Sequence, residues 1–286
     1  MAVAERSDLF ARAASDRDEI AAFLRTDRRF AAYAFGDLDG PNRDRCRWGI
    51  AHDDLGRPVA VAMHQEGIIP QPLFVMGDPA GCRAIVASVI RPREAYLLGT
   101  ERLDEALASL YEMERRVSLF RMVVDRVTFQ PFAGPAERLV PSDIDALNRL
   151  YQLGFRAGFP ASVLDDGVYY GVRVRGQLVS AAGTHVINTR EGIGVVGNVM
   201  THLDYRGHDF AKMVTSAVTA ELLERVSDVA LNVHTDNFPA IAAYERLGFA
   251  QHCQLSERLV RRRANGWDLM RPIREALRLT WPRETR

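Results

Sequence analysis

Apolar positions divide the chain into short, alternating elements. Ile20, Ala21, Phe23 and Leu24 recur at helical spacing. Ser15-Asp16-Arg17-Asp18 precedes them, a serine N-cap with acids in the first turn. Residues 36–41 read as a loop. Residues 46–51 and 59–63 read as paired strands about a polar turn at 53–58. A strand at 71–76, a helix at 79–90, a short strand at 95–99, a helix at 101–113 and a strand at 117–124 follow. Such alternation is an α/β pattern. Residues 127–135 hold two prolines and a glycine and form the best linker candidate.

Beyond that linker, 137–140 reads as a strand. Pro141-Ser142-Asp143-Ile144 opens a helix carrying Leu147, Leu150 and Tyr151 to about residue 154. Residues 155–166 read as irregular, the kind of loop that lines binding sites. Three strands follow at 168–175, 178–187 and 193–201. From Arg206 the apolar positions Phe210, Met213, Val214, Ala217, Val218 and Leu222 become helical, to about residue 226. A buried strand at 229–233, a helix at 238–247 closed by Gly248, and a strand at 249–259 complete this half. An amphipathic helix is expected over 267–281.

The junction Arg206-Gly207-His208-Asp209-Phe210-Ala211, between strand and helix, carries the candidate chemistry. A helix start offers unpaired backbone N–H groups pointing one way, which suits an anion such as phosphate. An ordinary strand–helix turn is the plain alternative. Formal net charge is zero and the charges are interspersed, so no nucleic-acid footprint is expected. The densest basic run, Arg261-Arg262-Arg263, reads as a solvated strand end. Cys46, Cys82 and Cys253 are scattered without metal spacing, and read as idle thiols of a cytoplasmic protein. The first 18 residues carry charges throughout, unlike a signal peptide, and no apolar run nears the ~20 residues that span a membrane.

The junction resembles the pyrophosphate loop of the GCN5-related N-acetyltransferases, Gln/Arg-x-x-Gly-x-Gly/Ala. Arg206 and Ala211 match its ends, and Asp209 replaces a glycine. The run Gly197 to His202 with Asp204-Tyr205-Arg206-Gly207, and a second motif, Asn237-Phe238-Pro239-Ala240-Ile241-Ala242-Ala243-Tyr244-Glu245-Arg246-Leu247-Gly248-Phe249, are similar to its FR47-like, glycine-N-acyltransferase-like bacterial subgroup. The resemblance covers roughly residues 137 to 260. It implies an α/β (α+β) acyl-CoA N-acyltransferase fold at 136–261, preceded by an α/β domain at 1–130 and followed by a tail at 262–286. The first domain has neither motif and reads as a degenerate copy of the second. It would be a wall of the substrate site, or else a structural or homodimerisation module.

The resemblance also implies roles. Val199, Met200 and Thr201 would hold the acetyl-pantetheine arm of acetyl-CoA through their backbone. Arg206, Gly207, His208, Asp209, Phe210, Ala211 and Lys212 would hold the pyrophosphate, and Asn237 would contact the cofactor or simply cap its helix. Tyr244, two turns beyond Asn237, would protonate the leaving thiolate or else be a half-buried aromatic. Asp209 is the misfit. At ~5 Å its charge would oppose phosphate by about 3 kcal/mol at an effective dielectric of ~20, unless it points outward as a helix-start acid. Asn232 stands where several relatives have a glutamate base, and Glu191 is expected at an exposed turn. His202 and His234, at the ends of the strands flanking the cleft, are the base candidates, directly or through water. The leading expectation is an N-acetyltransferase for a small-molecule amine or amino acid. A non-catalytic acyl-CoA-binding or interaction protein and a protein N-terminal acetyltransferase are the alternatives.

Overall fold

The computed structural model describes residues 9–40, 43–67, 69–153 and 158–263. The helix expected over 267–281 lies outside the described residues. The first half contains β1 (Phe10–Ala14), α1 (Arg17–Leu24), α2 (Ala32–Asp39), β2 (Cys46–His52), β3 (Pro58–Gln65), β4 (Pro72–Gly77), α3 (Pro79–Ser88), β5 (Glu94–Gly99), α4 (Glu101–Leu107), β6 (Tyr111–Met113) and β7 (Val117–Asp125). The second contains β8 (Ala136–Arg138), α5 (Ile144–Tyr151), α6 (Ser162–Asp166), β9 (Tyr170–Val174), β10 (Gln177–Asn188), β11 (Ile193–Thr201), α7 (Phe210–Arg225), β12 (Asp228–His234), α8 (Phe238–Arg246) and β13 (Ala250–Arg262).

All strands join one sheet, in the order β1-β2-β3-β4-β5-β13-β7-β12-β11-β10-β9-β8, with β6 beside β13. Neighbours are antiparallel except β4–β5 and β11–β12. From either edge inward the pattern is the same: four strands in sequence order, a fifth parallel to the fourth, then a strand supplied by the other half. The first half therefore repeats the topology of the second, as expected of a degenerate copy. The two halves exchange their last strands. Strand β13 lies beside β5, and β7 lies beside β12.

Period-two alternation assigns the two faces. Val61 and Met63 of β3 join a core under α1 and α2, whereas Ala60 and Ala62 pack under α3 and α4. Val195 of β11 belongs to the α1–α2 core and Val196 to the core under α7 and α8. Leu147, Leu150 and Tyr151 of α5 cover the outer part of the first of these faces with Leu164 of α6. The α1–α2 core draws Val186 of β10, Val195, Ala230 of β12 and Leu255 of β13 together with helices of the first half. It is a shared core, reinforced at the seam by charge. Arg17 and Arg25 pair with Glu191, and Arg28 and Arg29 with Asp228.

Several local expectations are corrected. Asp16, not Ser15, caps α1, its carboxylate accepting from the backbone of Asp18 and Glu19. Residues 36–39 continue helix α2 instead of forming a loop. Gly36 is there for close packing: a Cβ would stand 2.6 Å from Val186 Cγ2. Helix α4 stops at Leu107, because Tyr111 is fully buried and β6 pairs with β13. Part of the expected irregular stretch forms α6. Glu191 is 5 % exposed, since its turn docks on the arginines of α1 and the residues after it. The run Arg261-Arg262-Arg263 is the end of β13 with Arg261 and Arg263 exposed, as expected, and it also reaches carbonyls of α3 and of the turn after α4. No helix among the described residues is long and apolar enough to cross a membrane.

Candidate functional site

Strands β11 and β12 pair only over Ile193–Asp228, Gly194–Val229 and Val195–Ala230. Beyond Val195 they part, and the sheet opens into a wedge. Two helices frame it on one face. The loop after β11 delivers the start of α7, and the loop after β12 delivers α8. A cavity of about 600 Å³ fills this corner. It brings together Val199 and Thr201 of β11, Arg206, Gly207 and Asp209 of the loop, Phe210, Ala211 and Lys212 of α7, and Asn237 and Tyr244. Tyr205, Pro239, Ala240 and Ala243, which belong to the two sequence motifs but were given no role there, complete the wall. Ala240 and Ala243 sit one turn and four residues before Tyr244 and Leu247 at helical spacing, and small residues there leave the wall open.

The helix expected from Arg206 begins at Phe210. Gly207 has φ 81° and Asp209 φ 58°, both left-handed, so the backbone turns before it coils. This explains the residue types. Glycine takes such a φ without strain, and aspartate is among the few others that tolerate it. Asp209 makes no side-chain cap to the helix, so the first N–H groups of α7 keep no side-chain partner and border the cavity. The first half differs at the equivalent point. There Asp78 caps α3 and accepts from Gly81 N at 2.9 Å, spending a helix start on its own carboxylate.

The Asp209 carboxylate neither faces outward alone nor stands bare toward the cavity. It lies 3.0 Å from the Lys212 ammonium. That lysine is buried, with its ammonium 3.8 Å from the Phe132 ring centroid. The pair is neutral overall, so the repulsion expected from Asp209 is cancelled locally. Arg206 is exposed on the rim and has no ion-pair partner among the described residues.

Asn237 caps α8, its Oδ1 accepting from Ala240 N at 3.3 Å. Tyr244 is 6 % exposed, its ring 6.0 Å from that of Phe249. Burial pushes its phenol up to about 12.

Four expected site residues lie outside this cavity. Met200 points to the other face, packed with α5. His208 folds back, its Nδ1 donating to Arg206 O at 3.0 Å. His202 accepts from Asp204 N through Nδ1 and lines a separate cavity with Arg149 and Leu150. His234 is exposed at the end of β12, its carbonyl accepting from Asn237 N. Asn232 is committed elsewhere, accepting from Arg121 Nε at 2.6 Å. Burial raises the thiols of Cys82 to about 12 and Cys253 to about 11, which keeps them protonated. Among the described residues no cluster of three or more His, Cys, Asp or Glu is placed to hold a metal.

Residues 169–259 match the model of the FR47-like protein family, a span that contains both the loop before α7 and helix α8. No curated protein matches the chain in sequence. Solved structures do match in shape. An acetyltransferase of the GNAT family from Novosphingobium aromaticivorans is 20 % identical, with a TM-score of 0.56 over 83 % of this chain and 100 % of that one. A GCN5-related N-acetyltransferase from Sphaerobacter thermophilus is 17 % identical, with a TM-score of 0.56 over 89 % of this chain and 95 % of that one. A tandem GNAT protein from the clavulanic acid biosynthesis pathway is 14 % identical, with a TM-score of 0.52 over 91 % of this chain and 100 % of that one. The chain thus carries an FR47-like domain and has the GNAT acetyltransferase fold, and the fold is what these identities establish.

Proposed function

We propose that the protein is an acetyl-CoA-dependent N-acetyltransferase that acylates the amine of a small molecule or amino acid by direct attack on the thioester. One observation carries the reading. The opened β11–β12 edge, the side-chain-free start of α7 and the hydroxyl-bearing Tyr244 all border one cavity.

The cavity suits the cofactor on physical grounds. A polyanion needs N–H donors and a net charge that does not repel it. The α7 start supplies the donors, the Asp209–Lys212 pair is neutral, and Arg206 adds a positive charge at the rim. When bound, acetyl-CoA supplies an activated acetyl group as a thioester. Phe210, Ala211 and Lys212 hold the pyrophosphate with backbone N–H groups. Val199 and Thr201 present the free edge of β11 to the pantetheine arm. Tyr244 donates its proton to the departing sulfur, and positioning across the wedge contributes much of the acceleration.

Titration calorimetry of acetyl-CoA into the protein tests this reading. A micromolar dissociation constant, followed by turnover with a panel of small amines, supports it. No binding at millimolar cofactor overturns it. Binding without turnover of any amine favours a non-catalytic acyl-CoA-binding protein, a reading for which Asn232 in place of a glutamate speaks.

Asp209→Gly is expected to tighten acetyl-CoA about tenfold, ~1.4 kcal/mol. Glycine keeps the left-handed turn without strain, and removal of the carboxylate releases the Lys212 charge toward the cavity. The same calorimetry reads the effect. Equal or weaker affinity shows that the Lys212 ammonium does not serve the phosphates.

A further inference from the structure

On the face of the sheet opposite Tyr244, a hydrogen-bonded chain links α2, β10 and β11 beside the wedge. Tyr33 Oη of α2 lies 2.9 Å from His185 Nδ1 of β10. His185 Nε2 lies 2.9 Å from Asn198 Oδ1 of β11, and Asn198 Nδ2 donates to Tyr169 Oη at 3.2 Å. With Oδ1 an acceptor only, His185 Nε2 carries the hydrogen, and Nδ1 is left to accept from the Tyr33 hydroxyl. The guanidinium of fully buried Arg121 stands 5.1 Å from the Tyr33 ring centroid and donates to Asn232 of β12. The contacts therefore run from β11 through His185 of β10, Tyr33 of α2 and Arg121 of β7 to β12.

The backbone is shaped for this chain. Register slips place extra residues at His185 in β10 and at 198–199 in β11, where Asn198 has φ 52°. Bulges of this kind re-aim side chains beside functional sites. Two glycines inside the strands make the room. A Cβ on Gly197 would stand 2.4 Å from the His185 ring, and one on Gly183 would stand 2.0 Å from the Tyr169 ring. His185 also lines a second cavity, of about 920 Å³, between α2 and α6. Asp39, Asp166 and Arg190 border it. Asp39 pairs with Arg17 and Arg190 with Asp18, whereas Asp166 has no ion pair among the described residues and is placed to attract a cationic amine.

We propose that the acceptor amine enters through this second cavity and gives up its proton to the Tyr33–His185 pair. This rests on the acetyltransferase reading. The ammonium first loses one proton to solvent. As the neutral amine then attacks, Tyr33 Oη takes the next amine proton while its own hydroxyl proton moves to His185 Nδ1, and Tyr244 gives its proton to the leaving sulfur. One N–C bond forms and one C–S bond breaks, leaving an imidazolium and a phenolate that solvent resets. His185 suits the task, because the groups packed around its ring desolvate it and hold its pKa below the usual imidazole value, although its edge reaches the cavity. Tyr33 alone would not, since burial pushes its phenol up to about 12 against the opposing pull of Arg121. The groups that face the pair are Arg121 on β7, Glu257 on β13, Tyr169 before β9, Asp39 on α2, Asp166 on α6 and Arg190 after β10.

Nitrogen-15 NMR of the cofactor-free protein reads the pair directly. His185 is expected as the neutral Nε2–H tautomer at pH 7, and Tyr33→Phe is expected to move its titration upward by removing the donor to Nδ1. In steady-state assays Tyr33→Phe and His185→Gln are each expected to lower kcat about 100-fold. Acetyl-CoA affinity should stay within about twofold, and the acidic limb of the pH–rate profile should vanish in His185→Gln. An Nδ1–H tautomer, or wild-type kcat in both variants, overturns the proposal while leaving the acetyltransferase reading intact. Wild-type protein that binds no acetyl-CoA overturns both.

Discussion

Replacing Tyr244 by phenylalanine lowers kcat for amine acetylation about 100-fold and leaves the dissociation constant of acetyl-CoA within about twofold of wild type. The phenol is the one proton donor on the α8 wall of the cavity, and burial holds it up at about 12, so it keeps its proton throughout the neutral range. A thiolate leaving group has a conjugate pKa of about 8.5 or above, so the buried phenol is the weaker acid of the two, and its proton transfer relies on its position beside the sulfur as charge develops there. The ring, by contrast, is packing: it joins the core under α7 and α8 and meets Phe249. Phenylalanine keeps that packing, so the loss falls on kcat and not on folding or binding. Steady-state kinetics with calorimetry separate the two. An unchanged kcat removes Tyr244 as the acid.

Glu191→Gln is expected to destabilise the protein by about 3 kcal/mol. The Glu191 carboxylate is 3 % exposed and accepts from Arg17 at 2.6 Å and from Arg25 at 2.8 Å. The neutral amide leaves Arg17, itself 10 % exposed, with one fewer counter-charge in a place that water scarcely reaches. The effect has a pH signature. Hydrogen bonds from Arg25 and Arg17 outweigh the upward push of burial and hold Glu191 below its ordinary value of 4.5. A depressed carboxyl contributes stability above its unfolded pKa and loses it as pH falls through the folded one. The gap between wild type and variant should therefore be full at pH 7 and shrink below about pH 4.5. Urea unfolding at pH 7 and pH 3 measures it. A gap that does not depend on pH would show that the amide disturbs packing, not charge.

Elements governed by local pattern were legible in the sequence. The order of strands and helices in the second half, the Asn237 cap and the Gly248 stop all rest on signals within a few residues. The larger errors share one cause. Residues 36–41 read as a loop because the reason for Gly36, Val186, is far along the chain. Glu191 looked exposed because its partners Arg17 and Arg25 lie 174 and 166 residues away. The Tyr33–His185 contact spans 152 residues and leaves no local trace beyond two glycines in strands, Gly183 and Gly197, which were its one readable sign. Asp209 is a different case. Its partner Lys212 is three residues on, and the spacing alone could have shown that the charge was answered.

The exchanged strands also set a timetable for synthesis. The edge of β5 that carries Tyr96, Leu97 and Leu98 waits for β13, and Arg261 meets Glu94 across 167 residues of chain. At ribosomal rates of ~5–20 residues per second, that edge stays bare for roughly 10–30 seconds after it emerges. Bare apolar edges invite pairing with other chains. The nascent first half is thus the period of greatest aggregation hazard. A fragment ending before β13 would carry that hazard permanently, however complete its own sequence looked.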